Sequence, residues 1–201
     1  MSNYVDKNIA HYQKMADVYN ERYKNDNLAE PYADFLENLP GKKILEIGCG
    51  GGRDTKYFHE QKLDVTATDL TPRFLEIGKE QCPDVNFQLM DMRKLEFPDA
   101  SFDGIWANLS FHHISKTENL STLKEFKRVL KNGGLLYLGL MEGEGEEDKY
   151  SKFSQETRHF SYYTEEEITL LITSLDMRIK LLKVTPDPEG YRPDLRVFAV
   201  K

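Results

Sequence analysis

The sequence predicts an α/β fold: a doubly wound, mainly parallel sheet with helices on both faces. Three observations predict it. Short apolar strands alternate with helical segments from residue 42 to residue 141, the cadence of parallel βαβ units. The first strand runs into Gly48-Cys49-Gly50-Gly51-Gly52, four glycines in five positions. The last two strand-like segments have no helix between them, so they can pair antiparallel and close the sheet with a hairpin.

Each element has its own signal. Residues 1–40 read as helical: Ile9, Tyr12, Met15, Ala16, Tyr19 and Tyr23 recur at spacings of three and four, the period of a helix with one apolar face. A second helix over 28–39 stops at Pro40-Gly41. KKILEIG, 42–48, is the first strand, and a short helix covers 54–61. The β-branched segment LDVTATD, 63–69, is the second strand. Thr71-Pro72 supplies an N-cap residue and a proline suited to the first helical position, for a helix reaching to about residue 81. The third and fourth strands are 85–90 and 102–108. An amphipathic helix over 115–130 stops at Asn132-Gly133, and 135–141 is the fifth strand. Residues 142–148 read as an acidic loop and 150–163 as an aromatic-rich irregular stretch. Thr164 with Glu167 three residues on forms a capping box for a helix ending near residue 175. Strands over 178–184 and 195–200 flank TPDPEGYRPD, whose three prolines make it a loop.

A chain of 201 residues is one domain of ordinary size. Hydrophobic residues make up 39% and aromatics 11%, enough for a core and too much for a disordered chain. Lys and Arg number 27 against 34 Asp and Glu, a net charge of −7, which argues against a broad phosphate-binding surface. The longest strongly apolar run, 135–141, is far short of the ~20 residues of a membrane helix. MSNYVDKNIAHYQ lacks the basic-then-apolar layout of an export signal. Cys49 and Cys82 suggest neither a disulfide framework nor a metal site. The expectation is an acidic, soluble, cytoplasmic domain.

The glycine turn points to a ligand. Glycines let backbone approach a bound group closely, and four of them exceed what a plain βα connection needs. Gly48-x-Gly50 begins a dinucleotide fingerprint, but Arg53 stands where the third glycine belongs. Glu46 lies at the mouth of the turn, where it would repel a pyrophosphate and attract an ammonium or sulfonium. The pattern favours a cationic nucleoside over a diphosphate. Asp69 ends the second strand, 19 residues beyond Gly50, the place from which a carboxylate accepts ribose hydroxyls. Asp91 follows the third strand, positioned to accept from an adenine amino group, and Met92 beside it offers a backbone N–H and an apolar face.

On ILEIGCGGGRD, TATDLTP, MDMRKLEF, FDGIWANLSFHHIS and FKRVLKNGGLLYLGL, the chain resembles class I S-adenosylmethionine-dependent methyltransferases of the small-molecule type. The resemblance spans about 42–141, and the terminal hairpin extends it. It implies a Rossmann-like sheet of seven strands in the order 3-2-1-4-5-7-6 with strand 7 antiparallel. The whole chain, 1–201, is then one methyltransferase domain: an N-terminal helical lid over 1–40, a cofactor-binding core over 42–141, a substrate loop over 142–163, and a C-terminal helix and hairpin over 164–201. The implied cofactor is S-adenosyl-L-methionine. Its implied contacts are Glu46 and Gly48 near the methionine end with Cys49, Gly50 and Arg53 beside them, Asp69 and Leu70 at the ribose, Asp91 and Met92 at the adenine, and Asn108 beneath the methionine. Tyr12 and Tyr19 of the lid would reach the cofactor carboxylate, although aromatic residues at helical spacing serve equally as core.

A sulfonium methyl is already activated, so such an enzyme mainly aligns nucleophile, carbon and sulfur and excludes water. A base is needed only where the acceptor atom must lose a proton. His112 and His113 after the fourth strand are the candidates, the alternative being that one of them packs or caps; no third His or Cys makes them a metal site. In the loop, Arg158 could hold a substrate carboxylate or phosphate, and Phe160, Tyr162 and Tyr163 could stack on a planar acceptor. The acidic run from Glu142 to Asp148 reads as a solvated face. The expected partner is a small-molecule acceptor, with no membrane; the acidic balance weighs against a nucleic acid without excluding one. RHFSYYTEEE also resembles a stretch of methyltransferases acting on the wobble uridine of transfer RNA, so a transfer RNA substrate stays as the alternative, beside a nicotinamide-dependent oxidoreductase and a non-catalytic cofactor-binding module.

Overall fold

The computed structural model describes residues 3–25, 28–186 and 192–201. Helices α1 (Asn3–Tyr23) and α2 (Ala29–Asn38) lead into β1 (Lys43–Ile47), α3 (Arg53–Glu60), β2 (Asp64–Asp69), α4 (Pro72–Gln81), β3 (Asn86–Leu89) and β4 (Phe102–Asn108). A 3₁₀ turn at Phe111–His113 precedes α5 (Asn119–Val129) and β5 (Leu130–Met141). Then come β6 (Glu146–Ser151), β7 (Glu156–Ser161), α6 (Glu165–Ser174), β8 (Arg178–Thr185) and β9 (Asp194–Val200). Seven strands form one sheet in the order β3-β2-β1-β4-β5-β9-β8. β1 to β5 are parallel, and β9 runs antiparallel to both neighbours. This is the expected order once β6 and β7, which stand apart as a two-stranded sheet, are set aside.

Aromatic residues fill one side of the sheet. Trp106 on β4 stacks on Tyr137 of β5 at 3.9 Å and meets Phe35 of α2 and Phe58 of α3 edge-on. The other side buries Phe111, Leu123 and Phe126 with Ile168 and Ile172 of α6. A smaller cluster seats α1 on α4: Ala16, Phe74 and Ile77, with Tyr12 and Tyr19 packed against them. Period and caps explain the helices. Thr164 Oγ accepts from Glu167 N–H at 3.1 Å, half of the expected capping box, while the Glu167 carboxylate turns away to Lys116. Pro72 opens α4 as expected, but the N–H of Thr71 is taken by Asp69 at 2.8 Å.

Two expectations need correction. The helix expected over 115–130 begins only at Asn119, because Phe111–His113 forms its own 3₁₀ turn and Ser115–Glu118 a reverse turn. The substrate loop over 142–163 is an antiparallel ribbon, β6 paired with β7 from Glu146↔Ser161 to Ser151↔Glu156. Its polar, charge-dense sequence hides the strand period, and packing supplies what propensity lacks. Helix α1 lies along it: Asn8 accepts from His159 N–H at 2.8 Å, His11 Nδ1 meets Ser154 Oγ at 2.6 Å, and Lys14 pairs with Glu156 at 2.5 Å. The proline-rich connection falls largely on 187–191, outside the described residues.

Phe35 has no exposed surface and touches both Phe58 and Trp106. Phe35→Ala should therefore cost about 3–5 kcal/mol of unfolding free energy, read as a lowered urea midpoint. A loss no greater than that of an exposed substitution would mean that α2 is not part of the core.

Candidate functional site

The carboxyl ends of β1, β2 and β4 open into a cavity of about 1240 Å³ between the glycine turn, α1 and the β6–β7 ribbon. The turn has the conformation that only glycine adopts easily. Gly48 and Gly50 have φ of +70° and +54°. A Cβ on Gly48 would stand 2.3 Å from Ser110 Cβ, whereas one on Gly50 would meet nothing within 4 Å. Gly48 is thus glycine for packing, and Gly50 presents bare backbone to open space. The Asp69 carboxylate grips the turn, accepting from Gly50 N–H at 3.0 Å as well as from Thr71. Burial raises its pKa, and those backbone N–H groups draw it back down.

Glu46 is not at an open mouth as the sequence suggests. It is the penultimate residue of β1, 2% exposed, and accepts a hydrogen bond from Thr55 Oγ. The nearby Asp54, at the start of α3, receives Tyr32 O–H at 2.8 Å, Trp106 Nε1–H at 2.7 Å and Arg53 Nε–H at 2.5 Å. Burial, reinforced by the negative charge of Asp54, pushes the Glu46 carboxyl well above the usual range. Asp54 was not assigned a role from sequence, although it ends the glycine motif.

Asp91 lines the cavity but is already engaged: Arg93 binds its carboxylate at 2.6 Å. Burial would raise its pKa, and the Arg93 hydrogen bonds outweigh that and hold it low. Cys49, Arg53, Leu70, Met92 and Asn108 also line the cavity. Asn108 Oδ1 accepts from Tyr137 O–H at 3.3 Å.

Four of the chain's five histidines meet where α1, the 3₁₀ turn and β7 join. His113 Nδ1 lies 2.7 Å from the His159 carbonyl oxygen, which can only accept, so Nδ1 carries the proton and Nε2 is bare. Tyr12 O–H reaches that Nε2 at 2.7 Å, and His112 Nε2 stands 3.1 Å from it. His112 Nδ1 is buried with no hydrogen-bond partner among the described residues. Burial lowers the pKa of all three inner histidines: His11 to about 4, aided by Arg158, His113 to about 3, and His112 well below its ordinary value.

Tyr12, Tyr19, His112, His113 and Arg158 reach the cavity; Tyr162 and Tyr163 do not line it. Tyr162 turns its hydroxyl to Glu147 at 2.6 Å beneath Arg192, and Tyr163 is buried against Phe111. Strand alternation explains part of this: Arg158 and Phe160 share one face of β7, and the chain leaves the ribbon after Ser161. Met141, Lys149, Phe160, Arg192 and Asp194 also line the cavity. Only the ribbon pairing brings Lys149 beside Arg158, which an irregular loop gave no reason to expect. Among the described residues no cluster of His, Cys, Asp and Glu could hold a metal ion, and no helix is long and apolar enough to cross a membrane.

Comparison with known proteins finds that residues 45–138 are similar to the family described as methyltransferase domain. A demethylmenaquinone methyltransferase of Renibacterium salmoninarum is 31% identical over 103 residues, covering 51% of this chain and 43% of that one. A 27-O-demethylrifamycin SV methyltransferase of Amycolatopsis mediterranei is 31% identical over 119 residues, 56% of this chain and 43% of that one. The chain thus spans under half the length of these curated relatives. In structure it is similar to the 1,6-didemethyltoxoflavin-N1-methyltransferase of Burkholderia thailandensis, solved with 1,6-didemethyltoxoflavin and S-adenosylhomocysteine bound. The TM-score is 0.78 at 23% identity, over 98% of this chain and 88% of that one. At that identity the likeness speaks for the fold.

The histidine seam has a pH signature. A histidine whose folded pKa lies below its unfolded value stabilises the protein fully above that unfolded value, and the contribution is lost as pH falls. Stability should therefore decline from about pH 6.5 downward, as His11, His112 and His113 charge on unfolding. Urea titrations across that range read the slope, and His113→Gln should flatten it. An identical slope in both proteins would assign the decline to other groups.

Proposed function

We propose, from the similarity of residues 45–138 to the methyltransferase-domain family, that this chain transfers a methyl group from S-adenosyl-L-methionine to a small-molecule acceptor. The observation that carries the reading is the open space over Gly50, edged by Asp69 and floored by Glu46. Bare backbone beside buried acids suits a cationic nucleoside and offers no basic cradle for a diphosphate. When bound, the cofactor supplies a methyl carbon already activated by positive sulfur.

The chain supplies the rest. Asp69 would accept from the ribose hydroxyls through the lone pairs its backbone contacts leave free, with Leu70 beside it. Asp91 and Met92 would meet the adenine. Glu46, with the backbone of Gly48, would take the methionine ammonium, above Cys49, Arg53 and Asn108. Tyr12 and Tyr19 would close over the methionine end from α1. This helix and the ribbon exclude water, which keeps a sulfonium from hydrolysis and strengthens every charge interaction inside. His112 and His113 stand at the acceptor side; an acceptor that must shed a proton would pass it to an imidazole there. In this reading α1 is the lid of a single unit that includes the terminal hairpin. The roofed cavity and the net charge of −7 favour a small acceptor over transfer RNA. Buried free thiols at Cys49 and Cys82 fit a reducing, cytoplasmic setting.

Calorimetry tests the reading directly: S-adenosylhomocysteine should bind and NAD should not. Asp69→Ala should weaken that binding by about 1–3 kcal/mol. NAD binding without the sulfur nucleoside would overturn the proposal, and an unchanged affinity in Asp69→Ala would remove Asp69 from the ribose.

The raised Glu46 carboxyl gives a second expectation. The ligand's ammonium favours the Glu46 carboxylate, so binding should release a proton, and affinity should rise with pH until it passes the raised Glu46 pKa. Binding heats in two buffers of different ionisation enthalpy count that proton. In Glu46→Gln the release should vanish.

A further inference from the structure

The cavity is lined by charges of both signs. Near the glycine turn Glu46, Asp54, Asp69 and Asp91 stand with Arg53 and Arg93, which pair with Asp54 and Asp91, whereas the ribbon and the segment before β9 bring Lys149, Arg158 and Arg192, with Asp194 at the start of β9. Two of these cations are answered locally, since Lys149 stands 3.2 Å from Glu147 and Arg192 3.7 Å from the same carboxylate. Arg158 is different. Its Nη1–H donates to the neutral hydroxyl of Tyr19 at 2.9 Å, and its Nε–H is buried with no acceptor among the described residues. No carboxylate among those residues lies within ion-pair distance of it. Its guanidinium lies 5.0 Å from the centre of the Phe160 ring and 5.9 Å from that of Tyr19.

Such an arrangement is costly without a ligand. A partly buried guanidinium stripped of water needs acceptors for its five donors, and a planar fork is matched best by a carboxylate. The guanidinium also lowers the proton affinity of the neighbouring His11. Phe160 connects this charge to the imidazoles, its ring centre 4.9 Å from His113 and 5.4 Å from His112. A molecule that meets both Arg158 and the histidines must lie along Phe160.

We propose that Arg158 is the carboxylate anchor of the acceptor site, so that the methyl acceptor is a planar organic acid: its carboxylate on the guanidinium, its flat body against Phe160, its reactive atom toward His112 and His113. This rests on the methyl-transfer reading and narrows it to one substrate class. The same carboxylate chemistry has a second source, the amino-acid end of the cofactor, and the experiment separates the two.

The test uses the full chain, unvaried and as Arg158→Gln and Arg158→Lys, with benzoate and benzamide as probes of equal shape and unequal charge. On the protein saturated with S-adenosylhomocysteine, benzoate should bind about tenfold more tightly than benzamide, the worth of one charge-assisted pair in a partly buried site. The preference should vanish in Arg158→Gln and survive in good part in Arg158→Lys. S-adenosylhomocysteine should bind all three proteins within about twofold, which also certifies that the variants fold. Equal binding of the two probes to the unvaried protein overturns the proposal, and so does a preference that persists in Arg158→Gln. If Arg158→Gln weakens S-adenosylhomocysteine about tenfold and leaves 5′-methylthioadenosine, which lacks the amino-acid end, unaffected, the anchored carboxylate is the cofactor's and the acceptor assignment falls. Failure of S-adenosylhomocysteine to bind the unvaried protein is failure of the methyl-transfer reading alone, and the benzoate–benzamide contrast on the unloaded chain still decides Arg158.

Discussion

The hydrogen bond from Gly50 N–H to the Asp69 carboxylate ties the ends of two adjacent strands into one shape, and the cavity is built around it. The carbonyl of Thr68 reinforces it, accepting from Gly48 and Cys49 N–H at 2.8 and 3.0 Å. Gly48 and Gly50 take up positive φ without strain, and the neighbouring strand accepts the N–H groups that the turn leaves over. Burying an anion to do so is unfavourable. Backbone hydrogen bonds to a carboxylate, each worth about 1.5–3 kcal/mol, offset that cost. The clamp therefore sets where α3 starts and which backbone is left bare.

Periodicity made the parallel core readable. Apolar strands and capped helices between residues 42 and 141 carry their own local signals, and the sheet order agrees with the resemblance those motifs carry. The ribbon was not readable, because β6 and β7 owe their pairing to α1, and a helix 140 residues away leaves no trace in a local window. The same non-locality hid part of the site. Glu46 reads as an acid near a turn, and only the fold shows that it is sealed beside Asp54 and raised in pKa. Tyr162 and Tyr163 follow Arg158 closely in sequence, yet the chain leaves the strand after Ser161 and carries them off the cavity wall. Lys149 and Arg192 had no local signal at all.

Global charge and local charge diverge in this protein. A net charge of −7 describes how the surface repels polyanions, an effect that salt screens beyond a Debye length. Inside the cavity both signs meet a ligand, from the buried carboxyls and their arginine partners by the glycine turn to the cations on the ribbon. Removed from bulk water, these groups act on a ligand far more strongly than the surface charges do. A zwitterion or a pair of opposite ions fits such a field in one orientation, so alignment is partly electrostatic before any lid closes.

Trp106 is the only tryptophan of the chain, and its indole N–H is hydrogen-bonded to Asp54 at 2.7 Å, with no exposed surface. Asp54 in turn shares the floor of the cavity with Glu46. Excited at wavelengths too long for its tyrosines, the protein thus emits from a single indole wired to the carboxyl pair beneath the glycine turn. Any event that ionises that floor alters the field along the indole dipole, and the molecule carries its own optical gauge of occupancy without a label.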